Sequence, residues 1–264
     1  MFDSNHLLRY SRQIILKEVG NKGQEKLSNA RVLVAGAGGL GSPVSYYLAG
    51  AGIGTLGIAD FDTVSVSNLQ RQILYSNDDI GKRKTDIAQD RLKKLNPEVN
   101  VIKHPLRLNA DNIEEIVCNY DIVIDATDNI ATRYLVSDCC HFLKKPLIEG
   151  AVTGFDGLLM TIIPDRSPCY RCLYPAPPKD GILPSCANLG IIGAAAGMLG
   201  SLQAMEAIKL VLDTGHTLSG RVLFFDGLNM QFNEIQLDKN PECPLCGSNP
   251  TIKDLELYEV KCHF

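Results

Sequence analysis

The chain has 264 residues, of which 45% are hydrophobic and 21% charged, enough for one large soluble domain with a well-buried core. Its net charge of −4 argues against a sequence-independent nucleic-acid surface, and the basic pair Lys93-Lys94 reads as a solvated helix face; Lys82-Arg83-Lys84 is a second, more pointed cluster. The first ten residues lack the apolar core of a signal peptide. The apolar stretch 189–202 runs straight into Gln203, Glu206 and Lys209, so it reads as a buried helix and no membrane partner is expected. Nine cysteines without a secretory signal point to metal or catalytic use rather than disulfides, and to the cytoplasm.

In chain order, residues 5–19 form a predicted amphipathic helix with Arg9 and Arg12 on one face. Residues 31–37 make an apolar strand, followed by a glycine turn and a helix of small residues through Leu48. A second strand covers 55–60, and a polar helix covers 79–95, stopping before Pro97. Strand 99–103, helix 111–119, strand 121–126, helix 129–143 and strand 146–151 continue the alternation. Such alternation predicts parallel βαβ crossovers with helices on both sheet faces. After Gly154 the pattern changes: predicted strands 157–163, 221–225 and 232–237 lack crossover helices between neighbours and predict an antiparallel extension.

The turn Gly36-Ala37-Gly38-Gly39-Leu40-Gly41 satisfies the GxGxxG spacing between a strand and a helix. Its glycines allow a tight turn, and the helix N-terminus offers free N–H groups to phosphate oxygens. Asp60 ends the next strand, where a carboxylate can hold ribose hydroxyls. Alone, this pattern fits a dinucleotide cofactor and an NAD-dependent oxidoreductase. Arg71 and Lys84 downstream supply positive charge suited to a triphosphate or departing pyrophosphate. Asp128, at the end of a strand, is placed to hold Mg²⁺ together with phosphate oxygens, whereas Asp125 lies within the strand and reads as structural. No Walker-type GK[ST] sequence or serine nucleophile elbow is present, which disfavours P-loop ATPases and acyl hydrolases.

Taken in order, Arg9-Tyr10-Ser11-Arg12-Gln13, the GAGGLG turn, Asp60-Phe61-Asp62, Ser67-Asn68-Leu69-Gln70-Arg71-Gln72, Lys84 and Asp125-Ala126-Thr127-Asp128-Asn129 resemble the ThiF/MoeB/HesA family, bacterial relatives of ubiquitin-activating enzymes. The resemblance runs from about Asn5 to Gly247. It implies a Rossmann-like, mostly parallel α/β sheet with an antiparallel extension, and ATP with Mg²⁺ as cofactors. It also implies adenylation of the C-terminal glycine of a small ubiquitin-like sulfur carrier ending in Gly-Gly, for thiamine or molybdopterin biosynthesis. By that resemblance Gly39 lies against the phosphates, Gly36, Gly38 and Gly41 of the same turn belong to the cofactor site, and Asp60 binds the ribose. Asn68 and Arg71 contact the phosphates, Asn129 helps fix the nucleotide, and Asp62, Ser67, Leu69 and Gln70 belong to the same cofactor site. Lys84 stabilises charge at the α-phosphate, Asp128 ligates Mg²⁺, and Arg12 reaches across a homodimer to the partner's nucleotide. Relatives that adenylate a peptide other than a Gly-Gly carrier are an alternative reading.

Cys169 and Cys172, with Cys243 and Cys246, form two CxxC pairs suited to one tetrahedral, structural Zn²⁺; the family usually carries this site. Cys186 follows a Pro-rich loop and precedes a helix, a position that lowers a thiol's pKa; in some relatives a cysteine here takes up the activated carrier. Cys118, Cys139 and Cys140 are expected to be buried in helices, and the five histidines show no common spacing. The expectation is a single adenylation domain over residues 1–250, with a nucleotide core at 30–150, a zinc-stapled carrier-binding part at 151–250 and a tail at 251–264. Without an appended sulfurtransferase domain, a separate sulfur donor protein is expected.

Overall fold

The computed structural model describes residues 4–178 and 190–255. One eight-stranded sheet organises them, in the order β3-β2-β1-β4-β5-β6-β7-β8. The strands are β1 (Arg31–Ala35), β2 (Thr55–Ala59), β3 (Asn100–His104), β4 (Ile122–Asp125), β5 (Leu147–Thr153), β6 (Asp156–Ile162), β7 (Arg221–Asp226) and β8 (Gln231–Gln236). From β3 to β5 every pairing is parallel; β5–β6, β6–β7 and β7–β8 are antiparallel. The predicted parallel sheet with an antiparallel extension is therefore observed, with β8 pairing to β7.

Alternation along the strands separates two apolar layers. Val32 and Val34 of β1 and Ile122 and Ile124 of β4 face one cluster, which includes α4 (Gly41–Ala51), α5 (Lys84–Leu95) and α9 (Gly193–Leu212). Leu33, Val123 and Leu147 face the other, with α6 (Ile113–Val117), α7 (Ile130–Phe142) and α8 (Tyr170–Leu173). The α9 helix is apolar and long enough to cross a membrane, yet half of that stretch is buried, packed on α4, β5 and β6. Its small residues explain the close packing: a Cβ on Gly200 would meet the Leu40 carbonyl at 2.5 Å.

Three expectations are corrected. Residues 5–19 do not form one helix. They form α1 (Ser4–Arg9) and α2 (Ser11–Ile14), and a further helix, α3 (Gly20–Asn29), follows. Tyr10 leaves helical geometry between α1 and α2 (φ −100°, ψ 10°) and is 2% exposed. Its hydroxyl accepts a hydrogen bond from Asn96 Nδ2 at 2.7 Å, a tertiary anchor outweighing continuation of the helix. The helix expected from residue 79 begins only at Lys84, after a 3-10 turn (Asn77–Asp79) and Gly81 at φ +84°. Cys139 and Cys140 are buried as expected, but Cys118 is exposed, because it caps the short α6 instead of lying inside it.

Candidate functional site

The glycine turn sits at the carboxyl end of β1, beside the end of β4. Gly36 has φ +96°, and a Cβ there would lie 2.6 Å from the Ala126 carbonyl, so the turn and the β4 loop touch through backbone alone. Gly41 opens α4 so close to Gly36 that a Cβ would stand 1.9 Å from the Gly36 carbonyl oxygen. Gly39 faces Ala196 of α9 and the Arg71 side chain, at 3.3 and 3.5 Å from its own Cβ position. The turn thus presents backbone, not side chains, at the start of α4, where the helix dipole favours an anion.

Asp60 follows β2 and is tied to this turn. Its Oδ2 accepts the Ala37 N–H and its Oδ1 the Asp62 N–H, both at 2.8 Å. Burial raises the Asp60 carboxyl above its ordinary pKa, opposed by Lys84 and by the Ala37 and Asp62 N–H groups. The Lys84 ammonium, only 4% exposed, reaches Asp62 Oδ2 at 2.9 Å and Asp60 Oδ2 at 4.0 Å. Its backbone N–H also donates to the Asp62 carbonyl at 3.0 Å. A buried cation is thereby carried by the first residue of α5 between two carboxylates.

The run from Ser67 to Gln72 folds as a compact turn. Ser65 and Asn68 form a capping box over Val66–Asn68, with Asn68 Oδ1 accepting the Ser65 N–H. Ser67 Oγ lies 2.9 Å from Ser65 Oγ, and the Ser67 carbonyl accepts from Arg71 Nη1 at 3.1 Å. Arg71 is thereby laid along the Gly39 backbone. Leu69 packs against the core, and Gln70 donates to the Ile191 carbonyl, joining this run to the entry of α9.

At the end of β4, Asp125 is fully buried and its Oδ1 accepts the Thr127 N–H and Oγ1–H at 2.8 and 2.7 Å. Asp128 is exposed on the loop that follows. Asn129 caps α7, accepting the Thr132 N–H at 2.8 Å. Asp60 is bonded to the glycine turn, Lys84 is paired with Asp60, and Arg71 lies against Gly39, while Asp128 lies on the loop that Gly36 touches. Arg12 is different: it is exposed on α2, which packs on α1 and α3, and among the described residues no hydrogen bond joins it to the strand ends. Cys186 lies outside the described residues.

Two residues around the turn escaped sequence reasoning. Tyr75 is buried, and its hydroxyl donates to the Ala37 carbonyl at 2.8 Å. Gln72 is 4% exposed, with Nε2 3.6 Å from the Cβ position of Gly38. Gln72 ends the Ser67–Gln72 run, which marks its position but not this role; nothing in the sequence marks Tyr75, which lies 38 residues from its partner.

The four cysteine sulfurs of Cys169, Cys172, Cys243 and Cys246 all lie within 4.8 Å of one another. Separations of 3.9 Å (Cys169–Cys172), 3.5 Å (Cys169–Cys243) and 3.4 Å (Cys172–Cys246) bracket the ~3.8 Å edge of a tetrahedron with ~2.3 Å zinc–sulfur bonds. The Asn240 N–H points at Cys172 Sγ and the Cys246 N–H at Cys243 Sγ, which favours thiolates. The donor set is compatible with a closed, structural zinc site joining α8 to residues 243–246.

The chain is 48% identical over 259 residues to a sulfur carrier protein adenylyltransferase of Thermus thermophilus, covering 96% of each chain. It is 45% identical to a SAMP-activating enzyme E1 of Haloferax volcanii, covering 97% of this chain and 96% of that one. An adenylyltransferase and sulfurtransferase MOCS3 of Culex quinquefasciatus is 47% identical over 98% of this chain, which spans 60% of the MOCS3 length. Among solved structures, the microcin C7 biosynthetic enzyme MccB in complex with N-formylated MccA superposes with a TM-score of 0.81 at 25% identity, covering 93% of this chain and 77% of that one. An E. coli MccB structure with ATP gives a TM-score of 0.79, also at 25% identity, covering 90% of this chain and 74% of MccB. The ThiF family pattern matches residues 10–245, and the chain belongs to the ThiF family.

Proposed function

We propose that this protein is an adenylyltransferase that uses ATP to activate the C-terminal glycine of a small ubiquitin-like sulfur-carrier protein. The observation that carries the reading is the meeting of Asp60, Lys84 and Arg71 with the glycine turn. Its similarity to the Thermus and Haloferax enzymes over nearly the full length of each chain supports the same activity.

In this reading the carrier's terminal carboxylate, already ionised at neutral pH, attacks the α-phosphorus, pyrophosphate leaves and an acyl-adenylate remains. No strong general base is required, so catalysis consists of positioning and charge stabilisation. Asp60 holds the ribose, the glycine-turn N–H groups and Arg71 hold phosphates, and Lys84 turns from its carboxylates towards the charge building at the α-phosphate. Asp128 is the proposed ligand of Mg²⁺, which when bound neutralises phosphate charge. Arg12 serves the partner subunit of a homodimer, a role its exposure on α2 allows. The chain works as one adenylation unit of the cytoplasm, its zinc-stapled part docking the carrier and a separate protein supplying sulfur. Thiamine or molybdopterin biosynthesis is the pathway class. A thiolate at Cys186 that takes up the activated acyl group is part of the same proposal.

The likeness to MccB, solved with MccA, supports a second reading in which another peptide's C-terminus is adenylated. Carrier-dependent exchange of pyrophosphate into ATP tests the proposal and separates the two.

A further inference from the structure

Behind the Asp128 loop lies a buried charge cluster that the nucleotide chemistry does not use. Asp125 and Glu149 are direct partners in the parallel β4–β5 register. Each stands two residues beyond one, Val123 or Leu147, that faces the α7 layer, so both carboxyls enter that same layer. Both residues are fully buried, and Arg133 of α7, 7% exposed, lies among them. Arg133 Nη1 contacts Glu149 Oε1 and donates to the Gly150 carbonyl at 3.0 Å, while Nη2 donates to the Thr127 carbonyl at 2.9 Å. Asp125 Oδ1 is saturated by Thr127. Asp125 Oδ2 and Glu149 Oε2 are buried and receive no hydrogen bond.

Two ionised carboxylates beside one guanidinium would leave an uncompensated buried charge and two acceptors without donors, both costly. A single proton on Glu149 removes both defects: its O–H donates to Asp125 Oδ2, Asp125 keeps the charge that Thr127 solvates, and Arg133 balances it. Burial pushes the Glu149 carboxyl well above the ordinary range, against the pull of Arg133, and the neighbouring Asp125 adds to that push. Among the described residues, Tyr170 of α8 and Cys140 of α7 also adjoin the cluster, both held neutral by burial, with Cys139 and Lys145 beyond Cys140. From the opposite layer, Gln203 of α9 donates to the Asp125 carbonyl at 2.6 Å, closing the site with an uncharged amide.

We propose that Glu149 is a positioning residue, held as a neutral carboxylic acid whose proton it shares with Asp125, and that this pair with Arg133 sets the Thr127–Asp128 backbone. Thr127 is gripped at its N–H, hydroxyl and carbonyl, and Asp128 is the next residue. The link to Mg·ATP rests on the reading of Asp128 given above; the shared proton does not.

The test uses the full chain. Infrared spectra at neutral pH show the C=O band of a protonated carboxylic acid, lost in Glu149→Gln. Because the folded pKa is raised, the folded state holds a proton that the unfolded chain has released, so stability falls as pH rises from the ordinary carboxylate range towards the folded value. Glu149→Gln removes that slope. Glu149→Ala raises the KM for Mg·ATP on the order of tenfold, as loss of a group orienting a metal ligand does. Glu149→Gln recovers most of that, its amide donating to Asp125 and its carbonyl accepting from Arg133. A missing band, a band that persists in Glu149→Gln, or an unchanged KM in Glu149→Ala overturns the proposal. A parent chain with the band but no use of ATP overturns the reading of Asp128 instead.

Discussion

The Lys84 ammonium lies 2.9 Å from Asp62 Oδ2 and 4.0 Å from Asp60 Oδ2, so a nearly buried cation waits between two carboxylates at the mouth of the glycine turn. Such a charge needs no new desolvation when a phosphate arrives, and electrostatic help of this kind is strongest where water is excluded. Lys84→Ala is expected to reduce the turnover of adenylation by on the order of 10²–10³. If the chain pairs as the proposed homodimer with Arg12 acting in trans, mixing Lys84→Ala with Arg12→Ala chains is expected to restore part of the activity, since each mixed dimer then holds one intact site; steady-state rates of the single and mixed preparations check both statements.

Gly41 and Gly50 both lie in α4, yet they are expected to respond in opposite directions to the same substitution. A Cβ at Gly41 meets backbone at 1.9 Å, whereas none meets anything within 4 Å at Gly50. Gly50→Ala therefore stabilises by about 0.5–1 kcal/mol, the usual gain for alanine over glycine inside a helix. Gly41→Ala forces the turn open and loses both stability and ATP binding. Chemical denaturation and nucleotide titration of the two variants distinguish them.

Asp60 accepts two backbone N–H groups only as a carboxylate, and burial raises its pKa. As pH falls, Asp60 takes up its proton earlier than an exposed aspartate would, and in the proposed role its strength as a ribose acceptor falls with it. The KM for ATP is expected to rise on acidification, beginning above the ordinary aspartate range. Asp60→Asn raises KM at neutral pH and removes that acid limb; an identical limb in the variant contradicts the assignment.

The four sulfurs join α8 to residues near 245, which otherwise meet the sheet through a few apolar contacts. Removing zinc with a chelator, or Cys172→Ala, is expected to lower the melting temperature by several degrees and to loosen residues 238–255 first. Calorimetry with metal analysis measures this. An unchanged melting temperature in a chain shown to be free of zinc contradicts the structural role.

The strand–turn–helix units were legible in the sequence because they rest on local chemistry: the apolar run of β1, the glycines that follow and the carboxylate ending β2. The cysteine quartet was legible for a similar reason, since two CxxC spacings each place two thiolates on one turn. The break at Tyr10 was not, because the hydrogen bond to Asn96 and the burial that cause it come from distant chain. Gly81 and the 3-10 turn before it delayed the start of α5 and made Lys84 its first residue, so the lysine's place between Asp60 and Asp62 followed from the fold. Tyr75 and Glu149 stayed hidden because each acts on a neighbouring βα unit; only strand register brings Glu149 opposite Asp125.

The central claim is tested most directly by the exchange of labelled pyrophosphate into ATP, measured with and without a purified carrier ending in Gly-Gly. Exchange that requires both the carrier and its intact terminal glycine, and that collapses in Lys84→Ala, is the predicted result. Tight NAD binding with no exchange, or exchange indifferent to the carrier's last glycine, would contradict it.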